Sequence, residues 1–508
     1  MGVDVLTRQR LALLLGPLVC LGIILGHPVA LTGDQAAALA VTAWIVIWWV
    51  GEAIPIPVTA LLPIVLFPLT GMLTVSGTTT PYADPIVFLL LGGFLLALSI
   101  ERWNLHHRLS LHIIALVGTR ARNLVLGFMA ATAVLSMWIS NTATTMMMIP
   151  IAAAVIAEMT ILGGRRHPPI DAADLAEPND PSEPTGELIQ HLPDEIEDLP
   201  NTTFGLALML GIAFAASIGG SATLIGSPPN AVLAGVARSE LGIDVGFLEW
   251  MLVGLPLAIV FLTLTWVVLV IALKPRIDRQ PEGPNLVDRQ LDELGSMSIG
   301  ERRVLAVFGL VAGGWVLRPF VIEPVLPMVT DTIIAIAGAI LVFLVPVDGE
   351  RLIDWEYATR VPWGVLLLLG AGFSIARAFQ TTGLDLVMAQ AIVGIGIEGS
   401  VLLTMMIATT VVLLTNVTSN TATAALFMPI TIGIATSVGA APLALMATAA
   451  FAASFAFMLP VATAPNAIVF GTGYMTIPDM AKIGVLLTLP AIVIITATVV
   501  WWLPIVWG

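Results

Sequence analysis

Stretches of about 20 apolar residues recur from Leu11 to the C-terminus, each long enough to cross a bilayer as a helix. The first, 11–31, follows Arg8 and Arg10; its length and the spans behind it favour a membrane helix over a signal peptide. Spans are predicted at 36–50, 56–73 and 85–100, the last with an amphipathic tail through Leu116. Residues 124–161 are apolar but interrupted at Ser140, and 204–236 are interrupted between Gly219 and Asn230. A span at 247–273 closes the first half, and a polar, charged linker occupies 274–303. The pattern then repeats: spans at 304–321, 328–346 and 363–397, an interrupted segment 401–438, a second at 443–474 broken over 460–466, and a last span 483–507. The fold class expected is an all-α polytopic membrane protein.

Composition agrees. Of 508 residues, 58% are hydrophobic and 11% charged, with a mean hydropathy of +0.99. A soluble domain carries about 25% charged residues. The 34 prolines and 45 glycines suit broken membrane helices better than continuous ones. A lone cysteine, Cys20, excludes an intrachain disulfide and a cysteine-based metal site. Ten of the 34 acidic residues lie between Asp171 and Asp198, so 163–201 reads as a solvated acidic loop. No organic cofactor and no nucleic-acid partner are expected; the lipid bilayer is.

The interruptions are duplicated. Ser140-Asn141-Thr142-Ala143-Thr144 leads to Pro150, and Ser419-Asn420-Thr421-Ala422-Thr423 leads to Pro429, in both cases at a step of 279 residues. Gly93 and Gly372 are related by the same step. Gly226-Ser227-Pro228-Pro229-Asn230 corresponds to Ala462-Thr463-Ala464-Pro465-Asn466 at a step of 236, the difference being the acidic loop, an insertion in the first half.

Arginine and lysine positions set an orientation. With the N-terminus cytoplasmic, 11 crossing helices and both Ser-Asn-Thr segments treated as re-entrant hairpins, nearly all basic residues collect on the cytoplasmic side, leaving Arg238 and Arg318 outside. The C-terminus then lies external. Five crossings per repeat make the halves inverted, and the hairpins open to opposite faces.

Polar side chains at membrane depth default to a functional reading, and paired breaks in the two halves point to a transporter binding site. Small polar residues also serve helix packing, but two copies in register, each followed by a Gly/Pro/Asn break, argue against packing alone. Helix N-termini at such breaks suit an anion, and freed carbonyls with Ser, Thr and Asn oxygens suit a small hard cation. Neither break contains Asp, Glu, His, Lys or Arg, so a dianion bound there needs compensating cations, and a proton relay is disfavoured. The thirteen tryptophans read mostly as interface anchors, and His106, His107 and His112 as part of the amphipathic tail rather than a metal site.

At these residues the chain resembles the divalent anion:sodium symporter (DASS) family, the solute carrier 13-like transporters of di- and tricarboxylates and sulfate. Both Ser-Asn-Thr motifs carry the resemblance, as does the stretch from Ala453 to Val469, which is similar to the family signature. The resemblance implies a homodimer moving by an elevator mechanism. It divides the chain into scaffold helices at 1–121 and 304–397, a transport domain from 122–273 and 401–508, and the cytoplasmic linker 274–303. It implies one Na⁺ near Ser136, Ser140, Asn141 and Gly226, and a second near Thr415, Thr418, Asn420 and Ala462. Substrate carboxylates would meet Ser140, Asn141 and Thr142, and Ser419, Asn420 and Thr421, with Ser227 and Thr463 nearby.

The expected activity is Na⁺-coupled symport of C4-dicarboxylates such as succinate, malate or fumarate across the cytoplasmic membrane. The alternatives are Na⁺-independent dicarboxylate exchange and sodium:sulfate symport. A membrane hydrolase lacks a Ser/His or paired-Asp arrangement in the spans, and a passive channel fits the paired inverted breaks poorly.

Overall fold

The computed structural model describes residues 5–26, 28, 31–118, 120–161, 202–275, 286–393 and 400–507. Among these the regular structure is helical except for one short ribbon, Pro346–Val347 antiparallel to Glu350–Arg351. Ten of the described helices are long and apolar enough to cross a membrane. The acidic loop 163–201 lies outside the described residues.

Most spans fall where hydropathy puts them; the segment expected at 247–273 is the helix Phe247–Leu273. Departures have local causes. The 56–73 span is two short helices, Ile56–Thr59 and Leu62–Leu69, each with proline in its first turn. The 363–397 span divides into Trp363–Thr382 and Leu384–Val393, because Gly383 takes a left-handed conformation at φ +70° and caps the first helix. The polar linker also contains structure. Leu286–Leu294 is an amphipathic helix packed on Leu105–Ala115, and Ile299–Leu317 begins inside it behind a Ser298–Glu301 capping box.

Between these two linker helices lies a buried ion pair. Arg108 Nε donates to Glu301 Oε1 at 2.6 Å, and its other nitrogens donate to Gly295 O and Leu294 O at 2.9 and 3.1 Å. Removing one partner leaves the other charge buried, which costs about 3–5 kcal/mol. Arg108→Ala should therefore lower the melting temperature of the detergent-solubilised protein by several degrees, measured by thermal-shift fluorescence. A melting curve superimposable on the parent's would refute this.

Two helix–turn–helix pairs carry the Ser-Asn-Thr motifs: Ala121–Ser136 with Asn141–Ile161, and Ser400–Thr415 with Asn420–Val438. Each is followed by a broken helix, Thr203–Gly220 then Pro228–Leu241, and Pro442–Ser454 then Ala464–Gly471. Thr203–Gly220 is apolar on all sides and buried nearly throughout, as a core helix must be. It packs against both helices of the first pair, and Pro442–Ser454 does the same in the second. The repeats interlock: Asn141–Ile161 packs on Ala464–Gly471, and Pro228–Leu241 on Asn420–Val438.

Trp250 and Trp315 are fully buried rather than anchored at an interface. Trp138, in the first turn, stacks on Phe247 at 5.8 Å and meets Phe308 edge-on at 4.9 Å, while Phe247 stacks on Trp315 at 4.5 Å. Close-packed aromatic pairs add stabilisation beyond the area they bury.

Candidate functional site

Each motif lies where one helix has ended and the next begins. Ala121–Ser136 stops before the turn 137–140, and Ser140 caps the following helix: its Oγ accepts from Ala143 N at 3.2 Å. The turn 416–419 repeats this geometry, with Ser419 at the cap position and its hydroxyl left out of the capping bond. Helix ends of this kind expose backbone donors and acceptors that need partners.

In the first half those partners are oxygens crowded round one amide. Asn141 Oδ1 lies 2.5 Å from Ser136 Oγ, whose proton is directed to Ala216 O at 2.7 Å. Turned end for end, the Asn141 amide would instead donate to Gly226 O at 3.2 Å, Ala216 O at 3.1 Å and Ser136 Oγ at 2.5 Å. The neighbourhood of Asn141 is thus a set of acceptors. With its own oxygen inward, that set comprises four oxygens from the turn and the broken helix. Such a cluster is satisfied by an amide nitrogen or by a small cation, and hard cations take oxygen ligands. Gly226 contributes through its carbonyl; of the four residues the resemblance groups, Ser136, Asn141 and Gly226 lie together, while the Ser140 hydroxyl stays at the helix cap.

The second half is built alike but is not identical. Thr415 Oγ1 lies 2.8 Å from Asn420 Oδ1 and 2.8 Å from Ala453 O, the counterpart of the Ser136 arrangement shifted by one residue on the broken helix. Thr418 is turned aside, bonded to Leu414 O at 2.9 Å and to Thr423 Oγ1 at 2.6 Å. Ala462 is buried and closes the short turn Pro460–Ala462 through its N–H to Leu459 O.

Of the residues expected to meet substrate, Ser140, Asn141, Thr142, Ser419, Asn420 and Thr463 are half-buried, and Thr421 is 7% exposed. Ser227 is the most buried of them. It is 2% exposed, and its hydroxyl sits 3.3 Å from Ser454 Oγ, a link between the two repeats. Thr463, its counterpart, caps its helix by accepting from Asn466 N at 3.2 Å.

Two further residues join each turn to its broken helix, and sequence reading assigned them no role. Thr223 Oγ1 donates to Met137 O at 2.5 Å, and Asn416 Oδ1 accepts from Met458 N at 2.9 Å. Both lie in stretches already marked by polar residues in apolar sequence, but no spacing rule links a turn to a loop tens of residues away. Among the described residues no group of three metal-ligating His, Cys, Asp or Glu side chains occurs. His106 is buried, with Nδ1 against Ile100 O at 3.3 Å.

Two interrupted helix pairs, two broken helices and an oxygen-lined site with no charged side chain define the class: a polytopic helical membrane protein of the secondary-transporter type. Residues 8–508 match the family described as the sodium:sulfate symporter transmembrane region. The chain belongs to that family. It is 40% identical over 510 residues to the sodium-dependent dicarboxylate transporter SdcS of Staphylococcus aureus strain MRSA252, a match covering 99% of this chain and 92% of the relative. The protein of the same name from strain USA300 is 40% identical over 508 residues, covering 98% and 92%. The fold is similar to that of the Alcanivorax borkumensis YdaH transporter, with a TM-score of 0.50 at 16% identity, covering 87% of this chain and 89% of that one.

Proposed function

We propose that this protein is a secondary active transporter that couples Na⁺ entry to uptake of small C4-dicarboxylates, and that it carries out no covalent chemistry on them. The observation that carries the reading is the oxygen cluster at Asn141, matched by the Thr415–Asn420 pair and free of any protein charge. A dianion held there calls for charge compensation. Bound Na⁺ supplies it, and the sodium and dicarboxylate dependence named for the Staphylococcus aureus relatives agrees. One Na⁺ is assigned to Ser136, Asn141 and Gly226 with Ser140 beside them, the other to Thr415 and Asn420 with Thr418 and Ala462 nearby. The substrate carboxylates lie between the two Ser-Asn-Thr turns, against the N-terminal ends of the helices that begin there.

In this reading the N-terminus is cytoplasmic, the two halves are inverted, and the interlocked segments from 122–273 and 401–508 move together as an elevator against the remaining helices of a homodimer. Uptake of labelled succinate into proteoliposomes tests it. An inward Na⁺ gradient should raise initial uptake at least tenfold over choline. Unchanged uptake in choline with succinate trapped inside would replace symport by exchange, and stronger competition by sulfate than by malate would move the substrate to sulfate.

A further inference from the structure

Asn230 and Asn466 occupy the same place in the two broken helices, one turn into the helix that follows each break. Both are fully buried. Asn230 Nδ2 donates to Gly220 O at 3.0 Å and Thr223 O at 2.7 Å; Asn466 Nδ2 donates to Ala456 O at 3.0 Å and Leu459 O at 3.1 Å. The spans are the same in the two halves, 10 and 7 residues back from the asparagine. Two carbonyl acceptors on one nitrogen fix the orientation of each amide, leaving Oδ1 without a protein partner.

Gly220 O ends the helix Thr203–Gly220, while Thr223 O, Ala456 O and Leu459 O belong to the non-helical backbone of the two breaks. Thr223, held through its carbonyl by Asn230, accepts from Gly226 N at 3.1 Å and donates to Met137 O in the first turn. Gly220, held by the same amide, packs so close to Asn141 that a Cβ there would lie 2.5 Å from Asn141 Oδ1. In the second half, Leu459 O takes both Asn466 Nδ2 and Ala462 N, while the adjacent Met458 N reaches Asn416 in the second turn.

We infer that Asn230 and Asn466 are positioning residues for cation binding: each clamps the unwound backbone of its break against the turn that leads to Asn141 or Asn420. The inference rests on the Na⁺-coupled reading and extends it to two residues that touch neither ion nor substrate. Removing a clamp frees the loop, so cation affinity falls while the substrate-facing turns keep their shape.

The test is the Na⁺ dependence of succinate uptake by full-length protein in proteoliposomes, for the parent, Asn230→Ala and Asn466→Ala. Asn230→Asp and Asn466→Asp, which keep the volume and lose the NH₂ donors, serve where alanine reduces folding. Each variant should raise the half-saturating Na⁺ concentration about tenfold, with the succinate KM at saturating Na⁺ within twofold of the parent. Variants that lose rate uniformly, with the Na⁺ curve unmoved, have only a structural role there and overturn the inference. A parent indifferent to Na⁺ overturns the symport reading and the clamp with it; a Na⁺-dependent parent whose asparagine variants track it overturns the clamp alone.

Discussion

Asn141→Ala and Asn420→Ala should each reduce succinate transport by about two orders of magnitude while leaving a folded protein of nearly unchanged melting temperature. Both side chains are half-buried at the start of a helix, so removing them opens no core cavity. What they supply is an amide beside Ser136 Oγ, Ala216 O and Gly226 O in one half and beside Thr415 Oγ1 in the other. A hydrogen bond or ligand contact to a charged group contributes about 1.5–3 kcal/mol, and each 1.4 kcal/mol is tenfold. The loss therefore spans about 10- to 100-fold per contact and deepens where one side chain serves both cation and carboxylate. The measurement is initial uptake in proteoliposomes normalised to inserted protein, with size-exclusion profile and thermal shift as folding controls. Retained Na⁺-dependent uptake in either variant would place the site elsewhere.

The repeat was legible because polar residues are rare in apolar spans: one Ser-Asn-Thr run is ambiguous, but the same run 279 residues later is not. Hydropathy also gave Phe247–Leu273 its ends, since a long apolar helix is bounded by where its polar neighbours begin. It overran at Gly383, where one left-handed glycine ends the helix Trp363–Thr382 and starts another. It missed Leu286–Leu294, whose apolar stripe is hidden among charges that reach solvent from the other face. At the site, the motifs identified Asn141 and Asn420 but not Thr223, Asn416 or the Ser227–Ser454 link. Those depend on which loop meets which turn, a tertiary fact with no sequence period. The repeat alignment also treats the two halves as equivalent, whereas Thr418 bonds to Thr423 and its counterpart Ile139 has no hydroxyl to offer.

That inequality yields the last prediction. The first break has Gly220 and Gly226 where the second has Ala456 and Ala462. The choice follows from spacing. A Cβ on Gly220 would lie 2.5 Å from Asn141 Oδ1 and 2.8 Å from Gly226 O, and one on Gly226 would lie 2.6 Å from Gly220 O and 3.0 Å from Ser136 O. A Cβ on Gly220 would thus press on two members of the Asn141 cluster and one on Gly226 on the backbone beside it, and three of the four obstacles are backbone atoms that no rotamer change can move aside. Overpacking of this kind costs about 1–3 kcal/mol, here taken directly from the geometry of the cluster. Gly220→Ala and Gly226→Ala should each cut Na⁺-coupled uptake by about tenfold or more. The mirror substitutions, Ala456→Gly and Ala462→Gly, remove a methyl that the second break already accommodates and should retain more than half of it. Equal losses in the two halves would mean that the breaks are interchangeable, and that the methyl-free wall around Asn141 has no bearing on the ion. Loss confined to the first half would identify that wall as the tighter of the two cation sites, its width set by two hydrogen atoms where the second has methyl groups.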